Sequence, residues 1–92
     1  MELLNSFIRH LGIERGLSKN TLSAYRQDLA KYESFLDSIK SSPEVVTGLQ
    51  MSEFLVWLNG IGLKASSSAR VIAAIRGFHK FLVLEDIRTD DP

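Results

Sequence analysis

The sequence contains no cysteine and no long hydrophobic run, and these two absences exclude several classes of protein. Without cysteine there is neither a disulfide framework nor a thiolate metal site, which fits a reducing compartment. No apolar stretch approaches the ~20 residues that a membrane-spanning helix needs. Residues 1–6 also lack the basic and then apolar layout of a signal peptide. We therefore expect a cytoplasmic protein without a membrane partner.

An excess of charge of one sign is also missing, because 11 Lys and Arg residues balance 11 Asp and Glu residues. Nucleic-acid-binding domains are usually basic, so the neutral total argues against that class. The distribution of the charges argues the other way. Residues 62–84 contain Lys64, Arg70, Arg76 and Lys80 and no acidic residue, whereas residues 85–92 contain four acids and one arginine. The neutral total therefore combines a basic segment with an acidic end.

The 92 residues suffice for one globular domain, and 45% of them are hydrophobic. Apolar residues recur at helical spacing in four segments separated by Gly, Pro and Ser. We predict helices over residues 2–13, from the N-cap Ser18 to about residue 39, from near Thr47 to residue 58, and from the serines at 66–68 to about residue 84. Strand-like alternation is absent, so the sequence predicts an all-α, orthogonal or bundle-like domain. The predicted buried stripes are Leu4, Phe7, Ile8 and Leu11; Leu22, Tyr25, Leu29, Tyr32 and Leu36; Met51, Phe54, Leu55 and Leu58; and Ile72, Ile75, Phe78 and Leu82, widened by Val71 and Phe81.

One side of the fourth predicted helix combines cations with small residues. On a helical wheel of about 100° per residue, one sector about 120° wide contains Ser66, Arg70, Ala73, Arg76, Gly77 and Lys80. Cations there suit phosphate oxygens, and arginine can also read guanine edges. The helix starts with Ser66, Ser67 and Ser68, just after Lys64, and free N–H groups at such a start can bind a phosphate. The same pattern also describes a solvated helix face, and Ala73 and Gly77 equally suit a close contact between helices.

The start of the second predicted helix is another candidate for DNA contact. Lys19, Asn20 and Thr21 occupy its first turn, and Arg26 and Gln27 follow on the exposed side. Asparagine and glutamine can read adenine, although such residues often serve only as caps. His10 and His79 have no ligand-spaced partner, and His79 is predicted to be a packed structural residue. We predict no metal, cofactor or small-molecule ligand.

Two segments resemble the same family. Residues 16–29, GLSKNTLSAYRQDL, resemble the "GLS-x-x-T-x-x-x-Y-x-x-D-L" opening of tyrosine recombinase core-binding domains. Residues 64–70 and 75–82, followed by Asp90, Asp91 and Pro92, resemble the final helix of that domain and its link to the catalytic domain. The chain thus resembles the N-terminal core-binding domain of a tyrosine recombinase or phage integrase, and the Xer branch most closely.

The resemblance implies a compact four-helix SAM-like orthogonal bundle, with residues 1–92 as the single N-terminal domain of a longer recombinase. Its partners would be duplex DNA and other recombinase subunits. Catalysis in this family belongs to a C-terminal domain, which no stretch here matches, so no catalytic residue is expected and Tyr25 is assigned a packing role. The residues that the resemblance places at the DNA are Lys19, Asn20, Thr21 and Arg26 in the second helix, with Lys64, Ser66, Ser67, Ser68, Arg70, Arg76 and Lys80 in the loop and the fourth helix.

A helical protein-interaction module is the main alternative. Its surface would be the exposed side of the first helix, with Glu2, Asn5 and Arg9. An independent enzyme is the least expected class, because the sequence offers no nucleophile–base pair, phosphate loop or metal constellation.

Overall fold

A computed structural model describes residues 2–92, and it contains four helices and no strand within that range. The helices are α1 (Glu2–Ile13), α2 (Lys19–Ser38), α3 (Gly48–Gly60) and α4 (Ala65–Leu84). The radius of gyration of the Cα atoms is 12.7 Å, close to the ~12 Å expected for a compact domain of this length. The predicted all-α four-helix fold is therefore confirmed.

Local hydrogen bonds explain where α2 and α3 begin. The Ser18 hydroxyl accepts a hydrogen bond of 3.2 Å from the backbone N–H of Thr21, as predicted for an N-cap. At the start of α3, the Thr47 hydroxyl accepts from the N–H of Gln50, and the Gln50 side chain accepts from the N–H of Thr47. This reciprocal capping box satisfies two amides that would otherwise lack partners. Gly62 connects α3 to α4 with φ of 77°, a conformation that favours glycine.

The core joins two groups of aromatic rings. Phe7 of α1 contacts Phe78 and Phe81 of α4, with ring centroids 5.5 and 5.4 Å apart. Tyr32 of α2 contacts Phe54 of α3 at 5.4 Å. Tyr32 also contacts Phe78 at 6.4 Å, so it connects the two groups. Helix α2 packs against the other three helices, and α4 packs against α1 and α2.

The core differs in part from the predicted stripes. Leu55 was predicted to be buried but is 43% exposed. Four other predicted core residues are only partly buried, namely Leu22, Tyr25, Met51 and Ile72. Within the helices, the predicted stripes omitted four buried residues, namely Asp28, Phe35, Ala74 and His79. The buried arcs of α2 and α4 are wider than one stripe because each helix packs against neighbours on more than one side.

His79 is the buried histidine that the sequence predicted to be structural, and the structure confirms that placement. Its Nε2 lies 2.6 Å from the hydroxyl of Tyr32, which lies 3.5 Å from the sulfur of Met51. Its Nδ1 is buried without a hydrogen-bond partner among the described residues. In one arrangement of the protons, Nε2–H donates to the Tyr32 hydroxyl, and that hydroxyl donates to Met51. This arrangement leaves no buried N–H unpaired. Burial, reinforced by the cation of Arg88, lowers the pKa of His79 to about 4, so the ring is neutral.

The chain turns back after α4 and is held against the loop between α2 and α3. Asp86 reverses its direction with φ of 57°, and the N–H of Ile87 donates to the carbonyl of Leu82. The buried guanidinium of Arg88 then donates to the carbonyl of Pro43 at 2.9 Å and pairs with Asp90 at 3.1 Å. That arginine lowers the pKa of Asp90, so the acidic end is partly neutralised within the fold.

The lowered pKa of His79 predicts a loss of stability in mild acid. The unfolded histidine has a pKa of about 6.5 and the folded one about 4. The unfolded state therefore binds more protons between these values, and stability falls as the pH is lowered. His79 should contribute up to about 1.4 kcal/mol of loss per pH unit, measured by urea unfolding. In a His79→Gln variant the free energy of unfolding should depend less steeply on pH, and His10→Gln should keep the original dependence. Parallel slopes for His79→Gln and the unmodified protein would refute this assignment.

Candidate nucleic-acid interface

A bidentate ion pair joins α2 to α4 at the base of the predicted DNA-binding surface. The Nε and Nη2 atoms of Arg70 donate to the two carboxylate oxygens of Asp28 at 2.8 and 3.0 Å. The Asp28 side chain is 1% exposed, whereas that of Arg70 is 53% exposed. A buried carboxylate is costly unless it is paired and hydrogen-bonded. Hydrogen bonding to Asp28 raises the pKa of Arg70, which stays charged.

This ion pair gives Arg70 a structural role that the sequence did not predict. One edge of its guanidinium is hydrogen-bonded to Asp28, and the other edge is open to solvent. The exposed edge lies over a cleft between α2 and α4, which we call the Arg70 cleft; Asn20, Thr21 and Tyr25 also line it. Three of the predicted DNA-contacting residues therefore come together here. Asp28 itself was missed, although it stands within the family motif and beside the apolar arc of α2.

The exposed side of α4 is rich in small residues and cations and has no acid. We call this surface the α4 face; it consists of Ala65, Ser66, Ala69, Arg70, Ala73, Arg76, Lys80 and Leu84. Arg76 and Lys80 make no hydrogen bond or ion pair with any residue of the described range. They also line a groove between α3 and α4. Asp91 lines that groove as well but forms no ion pair with either cation. The face therefore offers two cationic groups that are free to bind an anion.

The start of α4 leaves its first amides uncapped. The N-cap Lys64 makes no side-chain hydrogen bond to them, in contrast to Ser18 at the start of α2 and Thr47 at the start of α3. Ser66 is exposed, whereas Ser67 and Ser68 are half-buried. Uncapped amides at a helix start attract anions, but only the first of the three serines is fully open to an incoming ligand.

The predicted residues of α2 are not all on one surface. Lys19 and Asn20 are exposed in the first turn, and the hydroxyl of Thr21 receives a hydrogen bond of 3.0 Å from the hydroxyl of Ser18. Arg26 is two residues from Asp28, which places it about 160° around the helix. Because Asp28 points to Arg70, Arg26 projects away from α4. Lys19, seven residues earlier, lies within about 20° of Arg26 around the helix. The structure therefore separates Arg26 and Lys19 from the predicted contacts that face α4.

The neutral net charge does not conflict with a cationic surface. The first half of α2 and the whole of α4 contain one acidic residue, Asp28, and it is buried against Arg70. The other acids stand on α1, the second half of α2, α3 and the connecting or terminal segments. Within residues 2–92, no three acidic or histidine side chains are arranged to hold a metal ion. In the same range, no helix is both long and apolar enough to cross a bilayer.

Comparison with known proteins gives one consistent result. Residues 4–86 match the family model "Phage integrase, N-terminal SAM-like domain". The chain is 42% identical to the tyrosine recombinase XerD of Chlorobaculum tepidum and 40% identical to that of Rhizobium meliloti, in each case over 97% of this chain and 29% of the relative. It is 36% identical to XerD of Staphylococcus saprophyticus, over 98% of this chain and 31% of the relative. The chain thus spans about a third of the length of these relatives. No solved structure matches it significantly.

Gly77 tests whether a small residue on α4 serves packing. A Cβ added there would lie 3.5 Å from Cζ of Phe7, which is ordinary van der Waals contact. Gly77→Ala should therefore raise the free energy of unfolding by about 0.5–1 kcal/mol, because alanine is the better helix former. Urea unfolding measures the change. A destabilised variant would show that α1 cannot accommodate even a methyl group at this position.

The Asp28–Arg70 pair predicts an asymmetric response to mutation. Arg70→Gln leaves a carboxylate buried without its ionic partner, whereas Asp28→Asn leaves an exposed guanidinium that water can solvate. The free energy of unfolding should therefore fall more for Arg70→Gln than for Asp28→Asn. The double variant should be more stable than the sum of the two losses implies, as a double-mutant cycle would show. Strict additivity would mean that the pair contributes no coupling.

Proposed function

Because this chain belongs to the phage integrase N-terminal SAM-like domain family, we propose that it is the duplex-DNA-binding domain of a tyrosine recombinase. The family connects it to DNA recombination, and the finer proposal concerns how it grips the duplex. The α4 face and the first turn of α2 form the contact surface, and they hold DNA for a catalytic domain elsewhere in the protein.

The observation that carries this proposal is the acid-free α4 face with its two unpaired cations, Arg76 and Lys80. A helix with side chains is about 10–12 Å across and the major groove is about 12 Å wide, so small side chains on the approaching side favour a close fit. Ala69 and Ala73 supply such side chains between the cations. The uncapped amides after Lys64 add a phosphate site at the end of the same helix.

The residues of the proposed interface differ in their roles. Arg76 and Lys80 bind phosphates, since both are exposed and unpaired. Arg70 first aligns α2 with α4 through Asp28 and presents only its outer edge to the DNA. Asn20 lies beside that edge in the Arg70 cleft and is the candidate for reading a base. Arg26 and Lys19, which share one side of α2, contact DNA only where the duplex reaches the far side of that helix.

We further infer that this domain performs no catalytic step. Tyr32 has no exposed surface and its hydroxyl lies 2.6 Å from Nε2 of His79, so it cannot reach a phosphodiester. Burial also raises the pKa of Tyr32, which disfavours the nucleophilic phenolate. The whole reaction of the XerD relatives belongs to chains about three times as long.

Contact with other recombinase subunits is a second function that one observation favours. Leu49 and Val56 of α3 are each 72% exposed, and exposed apolar patches often mark protein interfaces. The sequence had placed such a surface on α1. There Arg9 instead lies 3.6 Å from Glu2 and donates a hydrogen bond to Ser6 within the same helix. The α3 surface is therefore the better candidate for subunit contact.

The proposed interface predicts weak duplex binding whose affinity depends on the salt concentration. Each phosphate contact adds about −0.9 to the slope of log affinity against log salt concentration, so a handful of contacts gives a slope of roughly −3 to −5. The double variant Arg76→Gln, Lys80→Gln should reduce the magnitude of that slope by about 1.8. Fluorescence anisotropy with a labelled duplex at several salt concentrations measures it.

The matched control removes two cations from other surfaces. Arg9→Gln with Lys40→Asn has the same net charge as the double variant, and asparagine suits the positive φ of position 40. This control should keep the original slope. An equal loss in both double variants would mean that net charge alone governs binding. Binding that ignores salt, or a measurable oligomer without DNA binding, would favour the protein-interaction alternative.

A further inference from the structure

A second groove runs along the same edge of α4 as the Arg70 cleft. We call it the Arg15 groove; Arg15 from the turn after α1, Tyr25 from α2, and Gly77 and Lys80 from α4 line it. Tyr25 also lines the Arg70 cleft, so the two depressions adjoin at its ring. Arg15 thus lies on the surface that already contains Lys80, although no sequence pattern placed it there.

The polar groups in the Arg15 groove have no protein partners. Arg15, Lys80 and the hydroxyl of Tyr25 make no hydrogen bond or ion pair with any residue from 2 to 92. No acidic side chain lines the groove, because the neighbouring Glu14 borders a different depression. Gly77 contributes no side chain to the space. Two cations and a tyrosine with an unpaired hydroxyl therefore line one open groove, and the protein supplies no counterion there.

We propose that Arg15, Tyr25 and Lys80 form a phosphate-binding site for the DNA backbone. The site rests on the proposed duplex binding and extends it from α2 and α4 to the turn after α1. Its ligand is a phosphodiester, for which an arginine fork, an ammonium and a phenolic O–H are all suitable donors. Such contacts set the position of a protein on the duplex without reading its sequence.

The packing of Tyr25 suits it to this role. Its ring meets Phe7 edge-on, with centroids 6.5 Å apart and an interplanar angle of 86°. The ring is half-buried against the core, while the residue borders both depressions. A ring held in this way presents its hydroxyl with little loss of conformational entropy on binding. The packing role predicted for Tyr25 and the phosphate contact are therefore compatible.

The two new residues predict different changes in duplex binding. Arg15→Gln removes one cationic phosphate contact, so the magnitude of the salt slope should fall by about 0.9. Tyr25→Phe keeps the ring against Phe7 and removes only a neutral hydrogen bond. It should weaken binding about 3- to 10-fold without changing the slope. Arg9→Gln in α1 is the matched control, since Arg9 lies outside the Arg15 groove and pairs with Glu2.

The experiment is duplex titration at several salt concentrations, with urea unfolding of each variant to correct for the folded fraction. A reduced slope for Arg15→Gln and weaker binding at constant slope for Tyr25→Phe support the site. If either variant matches Arg9→Gln in slope and affinity, the three-residue site is overturned. The proposed function then still stands, provided that Arg76→Gln with Lys80→Gln flattens the slope. If the unmodified protein does not bind the duplex, both proposals are overturned.

Discussion

The ion pair between Asp28 and Arg70 is the interaction on which the proposed DNA-binding surface depends. It neutralises the one acid in the surface-forming parts of α2 and α4 and fixes the two helices relative to each other through two short hydrogen bonds. Because Asp28 is buried, Arg70 cannot leave it without a large desolvation cost. The arginine that first looks like a DNA ligand is therefore also what keeps α2 and α4 in register.

With that acid neutralised, a domain of zero net charge can still have a cationic side. Three of the cations that remain unpaired, Arg15, Arg76 and Lys80, are spread along one edge and face of α4. Phosphate binding by a few such groups gains its free energy from counterion release and stays modest. This arrangement suits a domain that positions DNA together with the rest of a longer recombinase. A second linked domain bound to the same duplex would raise the overall affinity.

Much of the fold was predictable because its signals are local. The helix starts at Ser18 and Thr47 depend on side chains within three residues of the cap, and the buried position of His79 follows from its place beside an apolar stripe. The stripes were less accurate where a helix packs on two sides. The prediction omitted Phe35 from the core and wrongly included Leu55. A helical wheel gives the direction of a side chain but not whether another helix lies in that direction.

The sequence by itself determined the four helices, the starts of α2 and α3, the family and the acid-free cationic character of α4, since each depends on spacing within one segment. Only the tertiary structure decided what those residues face. Arg70 meets an aspartate 42 positions away, Gly77 meets Phe7, and Arg15 comes beside Tyr25 and Lys80. Periodicity within a helix carries no information on these pairings, because they arise from the way separate helices pack against one another.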